Sequence, residues 1–154
     1  KEVKPCDINE VVRTSLEDFK KEKGFESVDF KIDLDSKIPN ILINPLHIDQ
    51  VLQVLVRNAK DAVNEKGKVE IKTLNSDGKI HIEVSDTGCG IPEENIQKVF
   101  DPFFTTKSPG KGMGLGLAIS YNLIDRYNGT IDVKSKKGEG SKFTVTLPVG
   151  KQGV

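Results

Sequence analysis

The chain has 154 residues, which fits one domain with its own hydrophobic core and is too short for two. Lys plus Arg and Asp plus Glu number 23 each, so no net charge attracts the domain to nucleic acid or to an anionic membrane. The longest apolar run, around residues 51–56, is far shorter than the roughly 20 residues that span a bilayer, which predicts no membrane contact by this domain.

The N-terminal third of the chain predicts one helix followed by two extended segments. Asp7 and Glu10 form a capping pair at the start of a helical apolar period, and Gly24 ends it. Residues 29–34 alternate as a strand does, and residues 40–43 form a second short extended piece.

A long helix follows, which Asn44 caps and which runs from Pro45 to about Glu65 before Gly67. At about 100° per residue its apolar side chains form one stripe. The members are Ile48, Val51, Leu52, Leu55, Ala59, Ala62 and Val63. Asn58 is the only polar residue within this stripe. Its amide either bonds to backbone or buried water, or ligates a hard cation such as magnesium through its carbonyl oxygen.

The second half of the chain predicts two hairpins and two helices. The hairpins span residues 69–84 and 130–147, a short helix starts at Pro92, and a longer one covers residues 115–127. Between them, residues 102–114 have no period, and loops of that length are usually functional or disordered. We therefore predict an α/β (α+β) two-layer sandwich, with about three helices on one face of a mixed, largely antiparallel sheet.

A candidate ligand-binding motif, DTGCGI, starts at Asp86 directly after a predicted strand. It is either an Asp-initiated turn or a site in which the glycines let a flat ring approach the backbone. In the second case the carboxylate accepts from an exocyclic amine, which distinguishes adenine from guanine.

A second motif, GKGMGLG, lies at residues 110–116 just before a helix whose N-terminal amides suit phosphate. Lys107 and Lys111 are close enough in sequence to neutralise that charge. The spacing matches neither the P-loop nor the Rossmann fingerprint. Three aromatic residues before it are expected to pack in the core or to anchor the loop: Phe100, Phe103 and Phe104.

Taken together, five segments resemble, in order, the N, G1, F, G2 and G3 boxes of histidine-kinase catalytic domains, which belong to the GHKL superfamily. The segments are Asn58-Ala59, DTGCGI, FDPFFTTK, GKGMGLGL and GEGSKFTVTLP. The resemblance covers about residues 45–148. It implies a sandwich that binds ATP and Mg²⁺ between the helices and a glycine-rich lid at residues 105–114.

The resemblance also implies the site residues. Asn58 would hold magnesium and, with Lys107, act in catalysis, while Asp86 would take the adenine amino group. The other implied nucleotide contacts are Gly88, Gly90, Ile91, Lys107, Lys111, Gly112, Met113, Gly114, Leu115 and Gly116.

Two positions depart from the family pattern. Val54 stands where ATP-hydrolysing relatives have a glutamate, and a valine cannot act as a general base. Asp61 stands where many kinases have a lysine, which leaves Arg57 and Lys60 as alternative sources of positive charge. A non-catalytic ATP-binding module and a GHKL ATPase remain as alternatives to a kinase.

The two histidines, His47 and His81, are both expected to face solvent, and neither lies in a phosphoacceptor motif. The resemblance therefore implies that the acceptor histidine lies on a separate helical dimerisation domain of the same kinase, with residues 1–5 as the stub of the linker. It also implies a response regulator receiver domain as partner and a homodimeric full-length protein. Two cysteines and no recognisable leader predict a cytoplasmic location.

Overall fold

A computed structural model describes residues 3–63, 66–104 and 115–150. The described elements are β1 (Lys4–Cys6), α1 (Ile8–Lys21), β2 (Val28–Leu34), β3 (Ile41–Ile43), α2 (Pro45–Val63), β4 (Gly67–Ser76), β5 (Lys79–Asp86), α3 (Glu93–Ile96), α4 (Gly116–Asp125), β6 (Thr130–Lys136) and β7 (Gly140–Pro148).

The main sheet has five strands in the order β2-β4-β5-β7-β6. The β2 and β4 strands are parallel, whereas β4–β5, β5–β7 and β6–β7 pair antiparallel. A separate two-stranded sheet joins β1 to β3. The predicted mixed, largely antiparallel architecture is confirmed.

Along the strands of the main sheet, buried and half-buried side chains alternate because successive side chains point to opposite faces. The buried ones all lie on one face, which packs against the core. On β5 the buried residues are Ile80, Ile82, Val84 and Asp86. The α1, α2 and α4 helices cover this face, and α2 contacts α1, α4 and three of the strands. The apolar stripe of α2 is buried as predicted, with Val56 added and Ala62 only half-buried.

Local signals account for several of the element ends. The Asp7 side chain accepts from the Glu10 amide at the start of α1, and Asn44 Oδ1 accepts from the Leu46 amide at the start of α2. Asn128 ends the turn after α4 with a left-handed φ of 64°.

Three differences from the predicted elements are small. The α2 helix ends at Val63, and Gly67 begins β4 rather than closing the helix. The β1 strand was not predicted, and two residues of the predicted linker stub, Lys4 and Pro5, lie in it. In the parts of the chain that the structure describes, no helix has the length and apolarity to cross a bilayer.

Candidate functional site

One face of α2 connects the main parts of the predicted site. Val54, Asn58 and Ala62 are spaced four residues apart and so lie along the same side of the helix. A β-carbon on Gly116, at the start of α4, would lie 3.2 Å from Val54 Cγ1. The Cys89 amide donates to the Ala62 carbonyl over 3.1 Å. Asn58 is half-buried, and along this side of the helix it lies between Val54, which is beside the start of α4, and Ala62, which is beside the loop after β5.

Asp86 is a buried carboxylate at the end of β5, with 8% of its surface exposed. Its Oδ1 accepts from the Gly88 amide over 2.8 Å, which forms the predicted Asp-initiated turn. Burial raises the pKa of Asp86, while hydrogen bonds from the Gly88 and Ser141 backbone amides act in the opposite direction. A carboxylate has about four lone-pair positions, so this group can still accept a bond from a ligand amine.

The DTGCGI loop is locked against the β6–β7 turn. A β-carbon on Gly90, which has a φ of 73°, would overlap the Lys136 carbonyl oxygen. The Gly138 amide donates to the Cys89 carbonyl over 2.6 Å. The Ile91 amide donates to Ser135 Oγ over 2.7 Å. These contacts fix the backbone beside Asp86.

Gly88 packs against the end of α2, where an added β-carbon would overlap the Ala62 backbone. Close packing within the domain therefore explains why both positions of this loop, 88 and 90, are glycine. Their predicted role in admitting a ring stays a prediction.

The glycine-rich motif is described only at its end. Leu115 precedes α4 as its N-cap residue and Gly116 begins the helix, so the start of α4 lies beside Val54 of α2. The remaining predicted contacts lie outside the described residues: Lys107, Lys111, Gly112, Met113 and Gly114.

The two alternative cations of α2 both lie on the α1 side of the helix. Arg57 makes a bidentate pair with Glu22, with nitrogen–oxygen distances of 2.6 and 2.9 Å. This pairing lowers the pKa of Glu22 and raises that of Arg57. Lys60 Nζ lies 5.4 Å from the centroid of the Phe25 ring. Neither contact faces the Val54–Ala62 side of the helix.

The aromatic residues before the glycine-rich motif divide into two groups. Phe100 packs against Tyr121 and Phe143, with ring centroids 5.3 and 6.2 Å apart, as expected for a loop anchor. The same expectation is wrong for Phe103, which is 67% exposed and has a left-handed φ of 68°.

Neither histidine faces solvent freely, so this prediction is wrong. His47 is half-buried, and its Nδ1 lies 2.6 Å from the Tyr127 hydroxyl, which ties α2 to the end of α4. His81 is half-buried on β5, with Nδ1 3.0 Å from Thr146 Oγ1. Both belong to regular elements and hydrogen-bond within the domain.

Sequence reasoning missed two serines behind Asp86. Ser141, which is buried, pairs with Asp86 across β5 and β7, and Ser135 lies beside it on β6. Ser141 could have been found because it belongs to the GEGSKF segment, whereas nothing in the sequence singles out Ser135. Within the described ranges, no three His, Cys, Asp or Glu side chains come together as a metal cluster.

Comparison with known proteins agrees with this geometry. A family model described as histidine kinase-, DNA gyrase B-, and HSP90-like ATPase matches residues 43–151. The sensor histidine kinase ZraS of Escherichia coli K12 is 34% identical over 143 residues, which cover 93% of this chain and 30% of ZraS. The chain thus spans less than a third of that relative.

Solved structures show the same similarity. The catalytic domain of histidine kinase ThkA superposes with a TM-score of 0.84 at 33% identity and covers 96% of this chain and 98% of that one. ThkA in complex with the response regulator TrrA gives 0.81 at 30% identity, over 96% of this chain and 42% of that one. Full-length ShkA in complex with AMPPNP gives 0.85 at 27% identity, over 96% and 31%.

The chain belongs to the histidine kinase-, DNA gyrase B-, and HSP90-like ATPase family, as a catalytic domain of the sensor histidine kinase type.

Proposed function

We propose that the domain binds Mg-ATP and transfers its γ-phosphoryl group to a histidine on a helical dimerisation domain of the same sensor kinase. The observation that carries the proposal is the arrangement around α2. Asn58 lies between the N-terminus of α4 and the loop that holds the buried Asp86. These are, in order, an oxygen ligand, a phosphate-binding helix end and an acceptor for an amine.

Asp86 recognises the base in this proposal. Its Oδ1 is already oriented by the Gly88 amide, and the carboxylate accepts from the adenine 6-amino group. Guanine presents a carbonyl oxygen at that position, so the carboxylate would repel it. AMPPNP is an adenine nucleotide analogue, and its presence in the ShkA complex supports an adenine nucleotide as the ligand here.

Magnesium would be held by Asn58 Oδ1 together with phosphate oxygens. This ion prefers oxygen ligands, and several of them usually come from water or from the phosphates of the substrate. When bound, it neutralises charge on the β- and γ-phosphates. Lys107, Lys111 and the Gly114 amide would contact the triphosphate from the lid, and the amides of Leu115 and Gly116 would contact it from the start of α4.

Catalysis then needs positioning and charge neutralisation more than it needs a base. The unprotonated ring nitrogen of the acceptor histidine attacks the γ-phosphorus in line with the departing ADP oxygen. Val54 is a hydrocarbon that packs against Gly116, so this face of α2 offers no group to activate water at that position. This disfavours a GHKL ATPase.

The acceptor would be supplied from outside this domain, since His47 and His81 are held by Tyr127 and Thr146. The length of ZraS, of which this chain covers 30% of the residues, leaves room for such a domain. We further propose a homodimeric, cytoplasmically exposed kinase that passes the phosphoryl group to a response regulator receiver domain. The ThkA complex with TrrA supports the last step.

The test mixes this domain with a helical fragment that carries the acceptor histidine, together with ATP labelled at the γ-phosphate. Acid-labile label on the histidine is the expected result. Binding of ATP without transfer would instead favour a non-catalytic module, and rapid release of free phosphate would favour an ATPase. A fragment with the acceptor His replaced by Gln is the matched control.

A further inference from the structure

The hydroxyl of Ser135, on β6, lies where three backbone segments meet. It accepts from the Ile91 amide over 2.7 Å and lies 3.0 Å from the Gly140 carbonyl oxygen and 2.7 Å from Ser141 Oγ. A hydroxyl has one proton and two lone pairs. With Ile91 donating to it, Ser135 can donate to Gly140 while accepting from Ser141, so all its hydrogen-bonding positions are used.

These bonds join the loop after β5 to the strand behind Asp86. Ser141 pairs with Asp86 across the sheet, and its backbone amide hydrogen-bonds to the Asp86 carboxylate. A β-carbon on Gly140 would overlap the Asp86 carbonyl oxygen, so the two strands have no spare room. At the other end of the loop, Ser135 holds the Ile91 amide. The loop is therefore fixed at Gly88 by Asp86 itself and at Ile91 by Ser135.

We propose that Ser135 is a positioning residue for base recognition, because its hydroxyl holds the loop that orients Asp86 toward the adenine amine. The inference rests on the proposed function, since it takes Asp86 as the base-recognising group. Ser135 contacts the protein backbone and Ser141 and acts through them, without touching the nucleotide.

Ser135→Ala removes the hydroxyl, and Ser135→Thr keeps it. Ser76→Ala is the matched control, since Ser76 also lies at a strand end beside a hairpin turn, in the β4–β5 pair far along the sheet from Asp86. Each protein is titrated with ATP and with purine riboside triphosphate, which lacks the 6-amino group. Hydrogen exchange of the Ile91 amide, followed by NMR, reports the loop directly in the absence of nucleotide.

For Ser135→Ala we expect ATP affinity to fall by about three- to tenfold, the range for one lost hydrogen bond. Affinity for purine riboside triphosphate should change by less than about twofold, and exchange at Ile91 should accelerate. Ser135→Thr should restore both the ATP preference and the slow exchange, and Ser76→Ala should resemble the original protein.

Equal losses for the two nucleotides would show that Ser135 serves stability alone and would overturn the inference. Fast exchange at Ile91 with unchanged ATP preference would overturn it as well. If the original protein binds no ATP, the proposed function fails first. If the original protein binds ATP and Ser135→Ala keeps its full preference, only the role of Ser135 is lost.

Discussion

At the scale of single residues, Asp86 shows a conflict between stability and ligand recognition. Its burial raises the pKa of the carboxyl group, so folding disfavours the ionised form. The stability that the neutral acid contributes is present at low pH and is lost as the pH rises through the raised pKa. A buried carboxyl group whose ionised form is disfavoured by folding would not be selected for stability alone, and such groups are common at functional sites.

Replacing Asp86 with Asn separates these effects. The amide oxygen can still accept from Gly88, but the charge and its desolvation cost are gone. We expect ATP binding to weaken by about 1.5 to 3 kcal/mol, the range for a hydrogen bond to a charged group. Thermal stability at neutral pH should stay the same or rise. Calorimetric titration and a melting curve measure the two; Asp132→Asn, at an exposed position of β6, is the control. Unchanged ATP affinity would contradict the assignment of Asp86.

Asn58 gives the corresponding prediction for the metal. Asn58→Ala should abolish the dependence of nucleotide affinity on Mg²⁺, because the oxygen ligand from α2 is lost. Titrations with ATP in the presence of Mg²⁺ or of EDTA measure this, with Asn122→Ala on the exposed side of α4 as control. If Mg²⁺ still tightens binding in Asn58→Ala, the residue is a structural amide and no more.

At the scale of elements, strong local signals explain which parts of the fold could be predicted. The caps at Asp7 and Asn44, and the turn at Asp77 and Gly78, set element ends through side-chain bonds or left-handed backbone that few residues adopt. The three residues of β1 gave no period to detect, and only their pairing with β3 makes them a strand.

The side of α2 to which Arg57 and Lys60 turn could not be predicted for a related reason. Their partners, Glu22 and Phe25, come from the end of α1 and the segment after it. A helical wheel gives the angle of each side chain but does not say which element packs against it. The sequence therefore left Arg57 and Lys60 as alternative sources of positive charge at the site, whereas in the structure both side chains lie on the α1 side of α2.

Packing between elements makes Gly88 a sensitive position. Gly88→Ala should destabilise the domain by about 1 to 3 kcal/mol, because the new methyl group must displace the end of α2 at Ala62. ATP affinity should fall with it. Gly116→Ala is the comparison: there the nearest atom is the Val54 side chain at 3.2 Å, and alanine favours helix. Chemical denaturation measures both, and equal stabilities would show that the Ala62 contact relaxes freely.

At the scale of the whole molecule, the order of the motifs along the chain was enough to predict the family and the fold class. Asn58, Asp86 and Gly116 are distant in sequence, and the fold brings them to one side of α2 as expected. The proposed role of Ser135 was not predicted because it depends on a hydrogen bond from the Ile91 amide, 44 positions away in the sequence. The sequence places Ser135 in a strand but does not show which groups its hydroxyl contacts.

The stability of the whole domain should depend on pH through His47. Burial lowers the pKa of His47 from 6.5, and Arg126 acts in the same direction. The unfolded chain therefore takes up a proton more readily than the folded one, so stability falls as the pH drops below 6.5. Melting temperatures measured from about pH 7.5 to about pH 5 should show this fall. The fall should be smaller in His47→Gln than in the original protein. A full fall in His47→Gln would assign it to other groups.

Truncation of the domain at its N-terminal side should be limited by two features. These are the pairing of β1 with β3 and the packing of α1 on α2. The family match begins at residue 43, but Ile8, Val12 and Phe19 of α1 are fully inside the core, and β2 is the only described parallel partner of β4. An expression fragment trimmed to residues 43–151 would leave the α1 side of α2 bare. We expect it to melt without a cooperative transition in calorimetry, whereas residues 1–154 should give one. The family model therefore matches a segment that starts about forty residues inside the folded domain, whereas the similarity to ZraS covers 93% of the chain.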